Sequence, residues 1–221
     1  VFLGHFAVAL ASKRVAPRTS LGWMVACAQL PDALFPSFLL LGWEKMHVVD
    51  GANPFLRLYF DAYPFTHSLT MNAACGAAIG LLYWWRTRYA RGAWTLALLV
   101  MSHWVLDVLT HRVDMPLYPG GPKLGLGLWH SVAATIAVET ALFAASIWVY
   151  VKGTWPLDRV GRWALVTFAA MLALMYAGSI AGPPPKNSEE FALVAPAVVL
   201  LPLWSWWFDR HRRAGAAILT S

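Results

Sequence analysis

The sequence predicts an all-α, polytopic membrane bundle of about six spans at roughly 20 residues each. A short N-terminal helix, interfacial or re-entrant, precedes them. Three observations predict this class. Of 221 residues, 59% are hydrophobic and only 13% are charged, against about 25% charged in an ordinary soluble domain. Mean hydropathy is +0.54. Apolar runs of span length alternate with short loops, and many of the 13 Trp and 7 Tyr sit at the ends of those runs, as interface anchors do. The whole chain, 1–221, reads as one transmembrane domain. Cys27 and Cys75 both fall in apolar stretches and read as small packing residues.

Residues 1–11 are apolar but too short to span, and they carry His5. Lys13 and Arg14 follow the apolar run, whereas a signal peptide has its cations before it. Residues 21–41 form the first span, interrupted by Pro31, Asp32 and Pro36; proline removes a backbone donor and bends or breaks a helix. Residues 43–64 are a polar-aromatic loop with Glu44, His47, Asp50 and Asp61, in which residues 55–60 are expected at the interface. Thr66 or Ser68 caps the second span, 69–85, with His67 at its mouth. The AACGAAIG core of that span lets a second helix approach closely. The third span covers 93–109, the fourth about 128–150 with His130 at its mouth and Glu139 inside, and the fifth about 163–180. The sixth, 191–208, contains Pro196 and Pro202.

The basic residues fix an expected orientation. Lys13, Arg14, Arg18, Arg86, Arg88, Arg91, Lys152, Arg159, Arg162, Arg210, Arg212 and Arg213 lie in the first segment, in alternate loops and in the tail. Lys45, Arg57, Arg112, Lys123 and Lys186 are left for the opposite loops. The positive-inside rule makes the first set, and both chain ends, cytoplasmic in a bacterial inner membrane. Net charge is +6, but these cations are scattered over short loops rather than joined in the stripe of a nucleic-acid binder. Nucleic acid is therefore excluded as a partner.

The chemistry concentrates in WTLALLVMSHWVLDVLTHR, residues 94–112. His103, Asp107 and His111 are spaced by four, which puts them near one face of a helix. Such groups among Leu, Val and Trp are costly unless they are paired, metal-bound or facing a polar cavity. The topology brings His67, His103, Asp107, His111 and His130 to the non-cytoplasmic level, with Asp32 deeper on the first span. Of the seven histidines, all but His211 avoid the basic loops and tail. Imidazole and carboxylate suit zinc, iron or manganese. A His–Asp pair that only staples helices is the bland reading. Glu139, nine residues after His130, lies more than about 10 Å deeper and cannot easily share a metal with it. His47, Asp50 and Asp61 sit in a loop able to reach the site.

These residues carry a resemblance. Gly4-His5, Leu30-Pro31-Asp32, FTHSL at 65–69, SHWVLDVLT at 102–110 and PLYP at 116–119 together resemble the YdjM-like family of inner-membrane proteins, described as predicted metal-dependent hydrolases. The likeness covers about the first 130 residues. It implies His5, Asp32, His67, His103 and Asp107 as a metal-binding set; the topology adds His130. HxxxD alone is also similar to the metal-binding helix of zinc-dependent phospholipase C.

The expectation is a hydrolase with one or two divalent ions, zinc before iron or manganese, that activate water. The substrate is a membrane lipid or lipid-linked phosphoester, of phospholipid or polyprenyl phosphate type. Asp32 serves as general base where it is not a ligand. His111, Arg112 or Lys123 offsets developing charge. Two other classes fit the same residues: an ion or proton transporter, and a non-catalytic structural membrane protein.

Overall fold

The computed structural model describes residues 1–51, 53–194 and 199–215. The chain is 68% helical with little sheet. Its helices are α1 (Phe2–Val15), α2 (Leu21–Ala28), α3 (Leu30–Leu40), α4 (Leu69–Thr87), α5 (Ala90–Thr110), α6 (Val132–Gly153), α7 (Arg159–Ala181), α8 (Ser188–Val194) and α9 (Leu200–Arg210). Three two-stranded antiparallel ribbons stand at the helix ends: β1 (Lys45–Val48) with β2 (Leu58–Ala62), β3 (Met115–Pro116) with β4 (Lys123–Leu124), and β5 (Thr154–Pro156) with β6 (Arg212–Ala214).

Three helices, α5, α6 and α7, are long and apolar enough to cross a membrane. The bent pair α2–α3 makes up to four. The expected count of six is not supported, for two reasons in the sequence. Helix α4 has 19 residues, but Asn72 and the Tyr83-Trp84-Trp85-Arg86 end dilute its hydropathy. Of the expected sixth span, the described residues form α8, 7 residues, and α9, 11 residues, each short of the roughly 20 a span needs. Residues 195–198, Pro196 among them, lie outside the described residues.

Of the two expected placements of helix α1, interfacial or dipping inward, the structure shows it enclosed by other helices. Leu3, Phe6, Ala9 and Leu10 are buried, and the helix packs among α2, α5, α6 and α7. Its apolar residues face all round, the pattern of a helix enclosed by others. Residues 55–60 form a short 3-10 turn and part of strand β2, which pairs with β1 so that His47 faces Tyr59. The small residues of α4 act as expected. A Cβ on Gly76 would stand 2.7 Å from the Ala97 carbonyl oxygen of α5, so glycine permits this close crossing.

Prolines position the first polar group. The α2–α3 pair bends by 49° at a break around Gln29. Pro31 sits in the first turn of α3, where its missing N–H costs nothing. Asp32 follows in the same turn, where a carboxylate meets the positive end of the helix dipole.

The basic segments meet at one end of the bundle. Strands β5 and β6 join the α6–α7 connection to the tail. Lys13 bonds Asp209 on α9, and the Arg18 guanidinium lies 4.7 Å over the Tyr89 ring. The start of α1, the start of α4, the end of α5 and the β1–β2 ribbon gather at the other end, where the candidate site lies.

Candidate metal centre

Asp107 of α5 is the hub. His103, one turn earlier, brings Nε2 to 3.1 Å from Asp107 Oδ2. His5 of α1 brings Nε2 to 3.3 Å from Oδ1. From the start of α4, His67 Nε2 stands 3.9 Å from Oδ2. His111, just past the end of α5, places Nε2 3.9 Å from Oδ1. The main-chain nitrogen of Val1 lies 2.9 Å from Oδ1. Asp32 closes the other side, with Oδ1 3.4 Å from His67 Nε2 and 3.6 Å from His103 Nε2. Two overlapping groups have ligand atoms within 4.8 Å of one another: His5, His103 and Asp107; and Asp32, His67 and His103. His103 belongs to both.

The far side of each ring decides what the near side can do. His103 Nδ1 lies 2.8 Å from the Ala28 carbonyl oxygen, at the C-terminal end of α2, where helix carbonyls lack intrahelical donors. A carbonyl only accepts, so Nδ1 carries a proton, and in the neutral ring Nε2 is bare. His67 Nδ1 lies 2.6 Å from Thr66 Oγ1. The Thr66 hydroxyl spends its single hydrogen on Glu44 Oε2 at 2.6 Å, so Thr66 accepts from His67 and again Nε2 is bare. Glu44 is 1% exposed and also accepts the Phe65 and Thr66 backbone N–H groups at 2.9 and 2.8 Å. His111 Nδ1 lies 3.0 Å from Asp114 Oδ1, which also accepts the Tyr63 hydroxyl at 2.8 Å. Burial, reinforced by Asp114, pushes the Tyr63 phenol up, so it stays a donor. Burial also holds the His111 imidazole below its ordinary range, against the pull of Asp114.

Three imidazoles thus have Nδ1 fixed by an oxygen and Nε2 turned toward Asp107 or Asp32. Metal-binding histidines are oriented in this way. His103 Nε2, wholly buried, lacks a hydrogen bond of proper geometry among the described residues, although two carboxylates stand close. The His5 and His103 rings stack at 3.7 Å and 5°, presenting their Nε2 atoms side by side. The donor set of imidazole nitrogen and carboxylate oxygen therefore fits a divalent ion of the zinc, iron or manganese type. Cys27 and Cys75 are free cysteines and belong to neither group. Asp32 is the accessible member: its side chain is 45% exposed, while that of His103 is 0% exposed.

Other expected site residues lie elsewhere. His130 is in neither group. It ends a 3-10 turn that follows Gly127 at φ 72°, and its exposed ring contacts the Gly127 carbonyl at 3.0 Å. Arg112 donates to the carbonyls of Leu56 and Leu58 and lies 4.4 Å over the Tyr59 ring, so it fastens strand β2 and the turn before it. Lys123 reaches the Asp61 carbonyl on the surface. His47 and Asp61 form an exposed pair at 2.8 Å on the β1–β2 ribbon. Glu139 accepts the Leu3 backbone N–H at 2.7 Å and thereby holds the first turn of α1. Sequence reasoning leaves Glu44, Tyr63 and Asp114 without a role and offers Thr66 only as a cap, which it is not: Ser68 holds the N-cap position of α4, without a side-chain cap bond. An acid and a phenol in a polar-aromatic loop give no periodic signal, and each partner is set by the folded loop.

No family model, curated protein or solved structure matches the chain, and the chemistry of the cluster follows from its own geometry.

Proposed function

We propose that the chain is a YdjM-like metal-dependent hydrolase of the bacterial inner membrane, acting on a lipid phosphoester of phospholipid or polyprenyl phosphate type. The convergence of bare imidazole nitrogens on Asp107 and Asp32 carries this reading. A set that only stapled helices would pair its nitrogens off; here His103 Nε2 is left over in the most buried position. His5, His67, His103 and Asp107 would hold one ion or a pair, with His103 serving only one of them through its single free Nε2, and Asp32 would stand beside them as the base. A divalent ion in such a set supplies Lewis acidity, lowering the pKa of water toward neutrality and offsetting charge on phosphoryl oxygens.

The protein's own groups do the rest. Glu44, through Thr66, and Asp114 keep His67 and His111 in the tautomer with Nε2 bare. Asp32, open on one side, receives the proton of an arriving water as the water oxygen bonds to phosphorus. The ester P–O bond breaks, and the proton passes to the departing alcohol oxygen. His111, with Nε2 3.9 Å from Asp107 Oδ1, lines the edge of the cluster. Arg112 positions the turn and strand that flank the cluster. Helix α5 and the bent pair α2–α3 supply the central ligands, and both are membrane-crossing candidates, which suits a substrate with hydrocarbon chains. The basic end of the bundle faces the cytoplasm by the positive-inside rule, so the cluster opens to the other leaflet.

The test is phosphate release from phosphatidic acid and from farnesyl phosphate in mixed micelles, using chelator-stripped protein with zinc, iron or manganese added back. The expected result is ion-dependent release that Asp32→Asn and Asp107→Ala abolish. Metal-loaded protein that releases no phosphate from either substrate, yet carries the ion into vesicles, would refute the hydrolase and support transport.

A further inference from the structure

Beside the cluster lies a second cavity of about 340 Å³, within the size range of small-molecule sites. It shares a wall with the metal centre. Phe60 and Trp129 line it, and both pack on the His111 ring, at centroid distances of 5.4 and 4.0 Å. Most of its other walls are aromatic or apolar. Phe2 stacks on Tyr176 at 6.2 Å and 5°, and Phe55 lies 6.2 Å from the same ring.

Five polar side chains interrupt this lining, and two of them are occupied: Arg57 donates to the Gly51 and Gly182 carbonyls and Ser179 to the Tyr176 carbonyl, which leaves three. Trp129 Nε1 and the Tyr176 hydroxyl are buried without a hydrogen-bond partner among the described residues. Buried polar atoms are nearly always paired, and an orphan calls for an explanation such as a ligand. The third group is Glu139, 1% exposed, whose carboxylate also faces the cavity lining. An indole N–H can only donate, so it requires an acceptor oxygen. A buried carboxylate repels an anion and accepts from a hydroxyl. Aromatic walls favour carbon. The chemistry that meets all of these is uncharged, oxygen-bearing and attached to hydrocarbon.

We propose that this cavity binds the uncharged alcohol side of the substrate, a glycerol-like head with ester and hydroxyl oxygens at the base of a hydrocarbon chain. Tyr176 and Trp129 donate to its oxygens, and Glu139 accepts its hydroxyl. The identification of this head as part of a substrate rests on the hydrolytic reading of the cluster; its binding does not. The shared wall at His111 then sets the distance between the phosphoester bond and the alcohol, and the unpaired donors select esters and alcohols over bare alkyl chains.

The probe is 1-monooleoylglycerol, titrated into the full chain in a polyoxyethylene detergent free of ester groups. Adducts are counted by native mass spectrometry, and zinc, iron and manganese are measured on the same samples. The expected result is one saturable adduct per chain. Tyr176→Phe and Trp129→Phe each weaken it about fivefold, the effect of losing one hydrogen bond, and Tyr176→Phe leaves zinc content unchanged. In chelator-stripped protein, oleyl phosphate does not displace the monoglyceride. Absence of the adduct, an adduct indifferent to both substitutions, or equal occupation by oleyl phosphate would overturn the proposal. Wild type that holds neither zinc, iron nor manganese, yet binds the monoglyceride in the expected pattern, refutes the hydrolase and upholds the cavity. Zinc retained without monoglyceride binding refutes the cavity alone.

Discussion

Two buried polar centres stand at opposite ends of the same bundle, and they are built on opposite principles. At the basic end, Lys13 Nζ lies 2.6 Å from Asp209 Oδ2 and donates to the Thr19 carbonyl at 2.9 Å. Asp209 also accepts the Leu21 backbone N–H at 3.0 Å and the Tyr150 hydroxyl at 2.9 Å. Arg212 completes the knot with bonds to Gly161 and Thr154. Each charge has its partners, and α1, α2, α6 and α9 are tied together. At the other end, imidazoles are fixed from behind and left bare in front. Satisfied polar networks hold a fold; converging lone pairs that stay unpaired are arranged for something that is not part of the chain.

The contrast can be broken in several ways, the largest at the basic end. Asp209→Ala leaves Lys13 buried without its partner, and such a loss costs about 3–5 kcal/mol. Thermal and denaturant unfolding in detergent should show a large drop, while the fraction that stays folded keeps its metal. If Asp209→Ala instead lost metal at unchanged stability, the division of labour between the two ends would be wrong.

At the metal end, substitution should leave the fold and alter the ligand. Glu44→Gln keeps the shape but weakens the anchor that fixes Thr66 and His67. Outer-shell changes of this kind lower metal affinity about 10- to 100-fold, and competition with a chromogenic chelator measures it. Unchanged affinity would show that His67 needs no orienting group.

The smallest effect belongs to a surface pair. Asp158 caps α7 by accepting the Gly161 N–H at 2.8 Å and contacts His211 at 2.6 Å. The Gly161 bond, with help from His211, holds its carboxyl below the ordinary range. A lowered carboxyl pKa in the folded state stabilises the protein above the unfolded value, about 4. That contribution is lost as pH falls through the folded value. Asp158→Asn should therefore lower the thermal midpoint slightly at neutral pH, and the difference from wild type should shrink as pH falls below about 4. A difference constant with pH would assign the effect to shape rather than charge.

Much of this arrangement is legible in the sequence because it is periodic or punctuated. The long apolar runs of α5, α6 and α7 announce themselves by hydropathy. Pro31 and Pro36 mark the bent pair, and the spacing of His103, Asp107 and His111 puts them on one face. The count of six spans went too far. In α4, Asn72 and the aromatic-basic end were weighed less than the small apolar residues between them. In the last stretch, apolar composition does not distinguish one span from the short helices α8 and α9 that the described residues form. His5 was legible as a histidine in a short apolar run, but its burial beside His103 depends on α1 being enclosed, a tertiary fact. His130 shows the reverse: its position at a helix start was read correctly, and the local 3-10 turn aims it outward. Glu44 and Thr66, 22 residues apart, are joined only by the loop, and no local pattern reveals them.

The central claim is that the bare face of the cluster holds metal. It is tested most directly by elemental analysis of the full chain purified in detergent without chelator, wild type beside His103→Ala and Asp107→Ala. The account predicts about one or two zinc, iron or manganese ions per wild-type chain, and loss of the ion in both variants with helical content retained. Metal-free wild-type protein, still metal-free after each ion is offered in turn, would contradict it.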